Sequence, residues 1–269
     1  MTYELPAAPL SIGGVLDSAI RLYRDSIRQS WVLALLYSAS VGAFGLIWAL
    51  TLSKVAGPAA RDPRQLLGLM FSPAMVGTMV VGGVVSLVFY GAMMKTLSAW
   101  AQGNHSFPMG SAIAVGLRRL PAVILGGVIN GLAVTIGLIL LIIPGVYLFG
   151  KMPLWMAAVF VDDVGAMEGL RRSWRLTRGR WWRGAVIITV AVIMIYVFAL
   201  AFGLLATAIN ALAHLSLTGS QVISQLFQVA SNMIVLPMFV SILILMYHDF
   251  KLRDEGGDLA ARMGALGKV

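Results

Sequence analysis

Residues 121–161, PAVILGGVINGLAVTIGLILLIIPGVYLFGKMPLWMAAVFV, run for 41 positions without an aspartate or a glutamate. Drawn as one helix at ~1.5 Å per residue the stretch is about 60 Å long, twice the ~30 Å hydrocarbon layer of a bilayer. It has to fold back. The Pro144-Gly145 pair is the expected break, because proline stops the i to i−4 ladder and glycine permits a tight reversal. Two spans follow, 121–143 and 144–161, with a re-entrant hairpin over the same residues as the alternative. A single crossing here would strand the arginine-rich stretch after it on the outer side.

The rest of the chain agrees with a hydrocarbon environment. Of its 269 residues 59% are hydrophobic and 12% charged, against about 25% charged in soluble domains. Further spans are read at 31–52, 74–97, 184–209 and 222–246, which leaves little for a separate soluble domain. The expected fold class is all-α: residues 1–269 form one integral membrane domain, a polytopic bundle of six transmembrane helices with amphipathic interface helices on the cytoplasmic side. The segment before the first span contains Glu4, Pro6 and Pro9 and no apolar core ahead of Trp31, so the first span is expected to act as an uncleaved anchor. With no cysteine, disulfides and thiolate metal sites are excluded.

The net charge of +9 is informative through its distribution, since Lys and Arg in short loops set orientation. With the N-terminus inside, 16 of the 20 basic residues fall on the cytoplasmic side. Lys54, Arg61, Arg64 and Lys151 fall on the outer half. Both termini are therefore expected to be cytoplasmic.

Residues 169–184, GLRRSWRLTRGRWWRG, hold six arginines and three tryptophans. At about 100° per residue Ala166, Met167, Leu170, Trp174, Thr177 and Trp181 share one arc, flanked by Arg171, Arg175 and Arg178. Tryptophan favours the headgroup level and arginine pairs with phosphate. A surface helix over about 164–183 follows, with Arg171, Arg172, Arg175, Arg178, Arg180, Trp174 and Trp181 as anionic-headgroup contacts. A nucleic-acid partner is disfavoured, because stacking aromatics would have to face the ligand beside the cations. Residues 11–28 show a similar apolar stripe, and 111–119 a shorter one. Together they suggest three copies of a surface helix followed by a helical hairpin.

Three segments, PLSIGGVLDSAIRLYRDS, IIPGVYLFGKMPLW through GLRRSWRLTRGRWWRG, and YHDFKLRDEGGDLAARM, resemble the membrane domain attached to some bacterial glycerophosphodiester phosphodiesterases and related stand-alone inner-membrane proteins. The resemblance covers most of the chain and implies a six-span bacterial inner-membrane protein with no assigned chemistry. The soluble phosphodiesterase domain is absent, so no catalytic residue carries over. Lys151 stands where the family has a basic residue after the Pro-Gly turn, and lacks the planar fork of arginine.

No Asp or Glu lies inside the six spans, which disfavours proton- or cation-coupled transport, whose ionisable groups sit at membrane depth. His105, His214 and His248 are scattered, without metal-ligand pairing, and no nucleophile motif occurs. No catalytic residue, metal or cofactor is expected. Asp249, Asp254, Glu255 and Asp258 are read as a solvated tail (249–269), with pairing to the 169–184 arginines as the alternative. Gln221, Ser224, Gln225, Gln228, Ser231 and Asn232 recur along one face of the sixth span. With Asn130 near the midplane and Lys151 about 10 Å from the outer boundary, Asn130, Lys151, Gln225, Gln228 and Asn232 are candidates to line an outward polar cavity. The competing reading is interhelical hydrogen bonding. Small residues four apart, Gly127, Gly131 and Thr135, then Ala199, Gly203, Thr207 and Ala211, are expected to let helices approach closely, and a homodimer or another membrane protein could use either ridge.

The favoured function is non-enzymatic: an inner-membrane protein engaging anionic lipid and accommodating a lipid-like or peptide ligand between helices. The alternative is a small-molecule or peptide transporter using a cavity between spans 3, 4 and 6.

Overall fold

Between Gly14 and Gly42 no glycine or proline interrupts the chain, and the helix that begins at Ile12 has no reason to stop at the membrane surface. In the computed structural model, which describes residues 3–55 and 63–266, α1 runs unbroken over Ile12–Val55, 44 residues. The expected surface helix and first span are thus one rod. The serines at their junction turn inward on the helix itself: Ser26 Oγ donates to Leu22 O at 2.7 Å and Ser30 Oγ to Ile27 O at 3.5 Å. The same fusion occurs in α4, Met109–Leu140, which carries the 111–119 segment and Pro121 inside one helix.

The remaining elements among the described residues are α2 (Pro63–Met70), α3 (Pro73–Ala101), α5 (Ile142–Lys151), α6 (Trp155–Val161), α7 (Ala166–Leu176), α8 (Trp181–Ala213) and α9 (Leu217–Leu266). There is no strand among them. Six stretches are long and apolar enough to cross a membrane: within α1, α3 and α4, over 144–161, and within α8 and α9. The chain is built as an all-α, multi-pass membrane bundle. Its sides are apolar and exposed, as at Met79, Ile139, Tyr196, Leu204 and Leu212, an area no soluble monomer leaves to water.

The core lies at one end, where α1, α3, α6 and α9 meet around Leu22, Met93, Phe160, Tyr247 and Phe250. Glycine makes the closest approach possible there. A Cβ on Gly116 of α4 would strike Val88 O of α3, and one on Gly91 would strike the Phe160 ring. The expected packing ridges behave differently: a Cβ on Gly127, Gly131 or Gly203 would meet nothing within 4 Å. Those glycines face outward, so the close contacts inside the bundle are made elsewhere.

Ion pairs gather at the same end, at Asp17, Asp162, Asp163, Asp249 and Asp254. The segment before α1 is stitched to α1 and α9 here. Leu10 N donates to Asp249 Oδ1 at 2.8 Å, Tyr3 N to Asp25 Oδ2 at 2.9 Å, and His248 Nε2 to Pro6 O at 2.8 Å.

Candidate functional site

The reversal after α4 falls three residues earlier than the Pro144-Gly145 pair. Leu141 is extended, at φ −161° and ψ 138°, and α5 begins at Ile142 with Pro144 inside its first turn, where a missing N–H costs nothing. Gly145 instead allows α5 to lie against Gly137 and Leu138 of α4. The true interruption of the fourth span is at Met152–Leu154, around Pro153, which divides it into α5 and α6.

A broken helix in hydrocarbon must satisfy its freed backbone groups, and α7 supplies the means. Ser173 Oγ donates to Lys151 O at 3.0 Å and accepts from Leu154 N at 3.2 Å. Thr177 Oγ1 donates toward the same carbonyl at 3.2 Å. Both side chains are fully buried. The Ser and Thr of the RSWRLT run are thus splints for the fourth span.

This junction corrects the depth assigned to Lys151. Counting along a straight span put it near the outer boundary, but the break turns it toward the arginine-rich end. Only 4% exposed, its Nζ lies 5.3 Å from the Trp174 ring and 5.5 Å from the Tyr147 ring, and donates to Thr177 O at 3.4 Å. It forms no ion pair among the described residues.

The arginine-rich stretch is not one surface helix. α7 ends at Leu176, the chain turns through Gly179 at φ +72°, and α8 restarts at Trp181. A left-handed residue of this kind is natural for glycine. The turn brings Arg180, Trp181 and Trp182 over Lys151. Tyr147, Lys151, Gly179, Arg180, Trp181, Trp182, Arg183 and Arg253 enclose a pocket of about 570 Å³. Its aromatic wall is ordered: Trp181 Nε1 donates to Tyr147 O at 3.0 Å, and the two rings stack with centroids 6.1 Å apart.

Charge in the pocket is unbalanced. Asp249, buried, accepts from Arg183 Nε at 2.9 Å and Arg253 Nε at 3.0 Å. Both guanidinium groups also donate to Leu10 O at 2.5 Å. Arg180 spends a donor on Arg253 O at 3.0 Å. Four cations therefore face one carboxylate.

The other predicted headgroup residues divide. Arg172 is held by Asp162 and, at 3.1 Å, by Glu168; Asp162 also accepts from Tyr247 Oη at 2.7 Å and pairs with Lys251 at 3.3 Å. Arg175 pairs with Asp254 at 3.5 Å, so the tail, expected to be solvated, is helical at this point and joined to α7. Arg171 and Arg178 are exposed and form no ion pair among the described residues. Trp174 is half exposed and Trp182 is 76% exposed. Neighbouring Asp163 is locked by Arg119, whose Nε donates at 2.9 Å. Burial pulls that carboxyl upward, but the hydrogen bond and charge of Arg119, with Arg118 and Lys95, outweigh it and leave it below the usual carboxylate value.

The polar face of α9 turns to α1 and, at Ser224, to Asn210 of α8, not to Lys151. Gln221 Nε2 donates to Ala49 O at 3.4 Å, and the Gln225 amide fills the space beside Gly45. Gln228 is exposed and donates to Asn232 Oδ1 at 3.2 Å, one turn along. The Asn130 side-chain oxygen is buried without a partner. Lys151 and the α9 amides thus belong to different parts of the molecule. Arg183, Trp182, Tyr147, Arg253 and Ser173 were not singled out by sequence, and Thr177 was placed only on the apolar arc of the surface helix. The available signal was Pro153 inside an apolar span, which announces a break needing polar partners.

Fold and site together define a polytopic helical membrane protein with a basic, aromatic pocket beside a discontinuous span. The chain belongs to the family described as a domain of unknown function (DUF7847), whose model matches residues 105–250, more than half of it. That segment contains the broken span, α7, the Gly179 turn and all but one of the pocket's cations. No curated protein and no solved structure is similar enough to match.

Proposed function

We propose that the protein is a non-enzymatic component of a bacterial inner membrane that engages anionic phospholipid through its cytoplasmic, arginine-rich end. The observation that carries this reading is the pair Arg171 and Arg178, exposed and without an acidic partner among the described residues, beside the exposed indoles of Trp174 and Trp182. Indole and guanidinium at the border of an apolar belt are suited to the headgroup layer, where phosphate is the natural counterion. The non-enzymatic reading is supported by the fate of the acids: Asp162, Asp163 and Asp249 are all taken up in ion pairs with basic side chains. The bacterial inner membrane rests on the likeness to the membrane domains of glycerophosphodiester phosphodiesterases.

The test is the lipid composition retained around the protein. Extracted from nanodiscs of mixed phosphatidylglycerol and phosphatidylcholine, it is expected to carry phosphatidylglycerol in excess of the bulk ratio, less so at high salt because exposed charges are screened. Arg171→Gln with Arg178→Gln is expected to reduce the excess. A bulk ratio for both proteins would remove the reading.

A further inference from the structure

We infer that the pocket between α5, α8 and α9 is a discrete site for one dianionic phosphate group, and that this group enters on a lipid headgroup. The inference deepens the proposed function and rests on it for the lipid source.

Four features converge on one small volume. Lys151 is buried with no carboxylate to balance it among the described residues, which is costly unless an anion completes the arrangement. Arg180 offers the second uncompensated cation, since Asp249 is already divided between Arg183 and Arg253. α8 begins at the rim, and its N-cap, Arg180, makes no side-chain capping bond. The first N–H groups of a 33-residue helix are thus left for an incoming acceptor. Finally, about 570 Å³ lies within the roughly 300–1,000 Å³ typical of small-ligand sites.

With four cations against one carboxylate among the described residues the pocket carries a net charge of +3 there, so it favours a phosphomonoester over a singly charged phosphodiester. The open side favours a lipid. From the pocket the surface continues over exposed Val146 and Phe149 of α5 and Trp182 and Val186 of α8, a track along which acyl chains can lie while the phosphate is held. Tyr147 and Trp181 form the wall between polar and apolar parts.

The test uses the purified 269-residue chain in detergent, titrated separately with phosphatidic acid, phosphatidylglycerol, phosphatidylcholine and inorganic phosphate, with adducts counted by native mass spectrometry. The expected result is one saturable phosphatidic acid adduct, retained more strongly than phosphatidylglycerol and absent with phosphatidylcholine. Arg180→Gln, a change in a turn, is expected to weaken it about tenfold, the loss of one charge-assisted hydrogen bond. Lys151→Met, which keeps the stem and removes the charge, is expected to do at least as much. Equal retention of all three lipids, or an adduct unchanged in Arg180→Gln, overturns the inference. Saturable inorganic phosphate without a lipid adduct overturns the lipid source and leaves the phosphate site. The Arg171→Gln, Arg178→Gln protein keeps the tight adduct while losing the surrounding excess of anionic lipid. The surface reading and the pocket therefore fail separately.

Discussion

Ser173 is buried and uses its hydroxyl twice, as donor to Lys151 O and as acceptor from Leu154 N. Replacing it by alanine strands Leu154 N away from water, at a cost of about 1–3 kcal/mol for the unsatisfied group, and leaves Lys151 O to Thr177 Oγ1 alone. Ser173→Ala is therefore expected to lower the thermal midpoint in detergent more than Thr177→Val, because Thr177 shares the Lys151 carbonyl with Ser173. Equal midpoints would show that the broken turn is satisfied in another way. Asp25 makes a second residue-scale case. Tyr3 N and, at 3.1 Å, Trp100 Nε1 donate to its carboxylate and hold it below its ordinary value of 3.8. A depressed carboxyl contributes its full stability above that ordinary value and loses it as pH falls through the lower folded value. The N-terminal segment is thus expected to become protease-sensitive below about pH 4, and in Asp25→Asn already at neutral pH. Neither contact was legible in the sequence, which shows that a serine is present but not which carbonyl it will reach.

Helix identity was legible where hydropathy and length decided it, and less so where a helix had to begin, bend or stop. The six apolar stretches are helical, the fourth apart from its break at Met152–Leu154, because a helix pairs its backbone within its own segment in hydrocarbon. The junctions depended on tertiary partners. α1 passes from surface to span without a break, whereas the 164–183 stretch, similar in its amphipathic pattern, splits at Gly179. The repeated surface-helix-plus-hairpin motif is therefore not carried out alike at its three sites. Packing residues were misplaced for the same reason: periodicity marks a small-residue face but not what lies opposite. The consequence is measurable. Gly116→Ala pushes a methyl into Val88 O and Gly131→Ala points into open space, so the first is expected to destabilise the α3–α4 pair by about 1–3 kcal/mol and the second to be neutral or slightly favourable. Asp249→Ala leaves Arg183 and Arg253 uncompensated in a largely buried setting, at about 3–5 kcal/mol. Asp254→Ala removes an exposed partner of Arg175 and is expected to change stability by about 0–1 kcal/mol. Thermal denaturation of the two proteins side by side checks the difference.

At the scale of the whole molecule, charge asymmetry predicts direction. The arginine-rich end should face the cytoplasm, since basic loops resist translocation. The cysteine-free sequence makes this simple to check. A membrane-impermeant maleimide is expected to label Ser216→Cys, in the exposed turn between α8 and α9, in intact cells, and Arg171→Cys only after the membrane is opened. The reverse pattern would place the pocket in the wrong leaflet. The general form of the site, cations and indoles at one end, was visible in residues 169–184. Its centre was not, because Lys151 reaches it through a kink at Pro153 and Arg253 through an α9 that runs on beyond residues 222–246.

The stitch between Leu10, Arg183, Asp249 and Arg253 has a consequence for synthesis. The peptide group that closes it, at Leu10, leaves the ribosome 239 residues ahead of the carboxylate of Asp249, and further ahead of the second guanidinium, that of Arg253. Until α9 is made, Leu10 has no dock and Arg183 lacks its carboxylate. Closure of the stitch is thereby tied to synthesis of α9, and a nascent protein halted before that helix would present loose ends for quality-control proteases to seize.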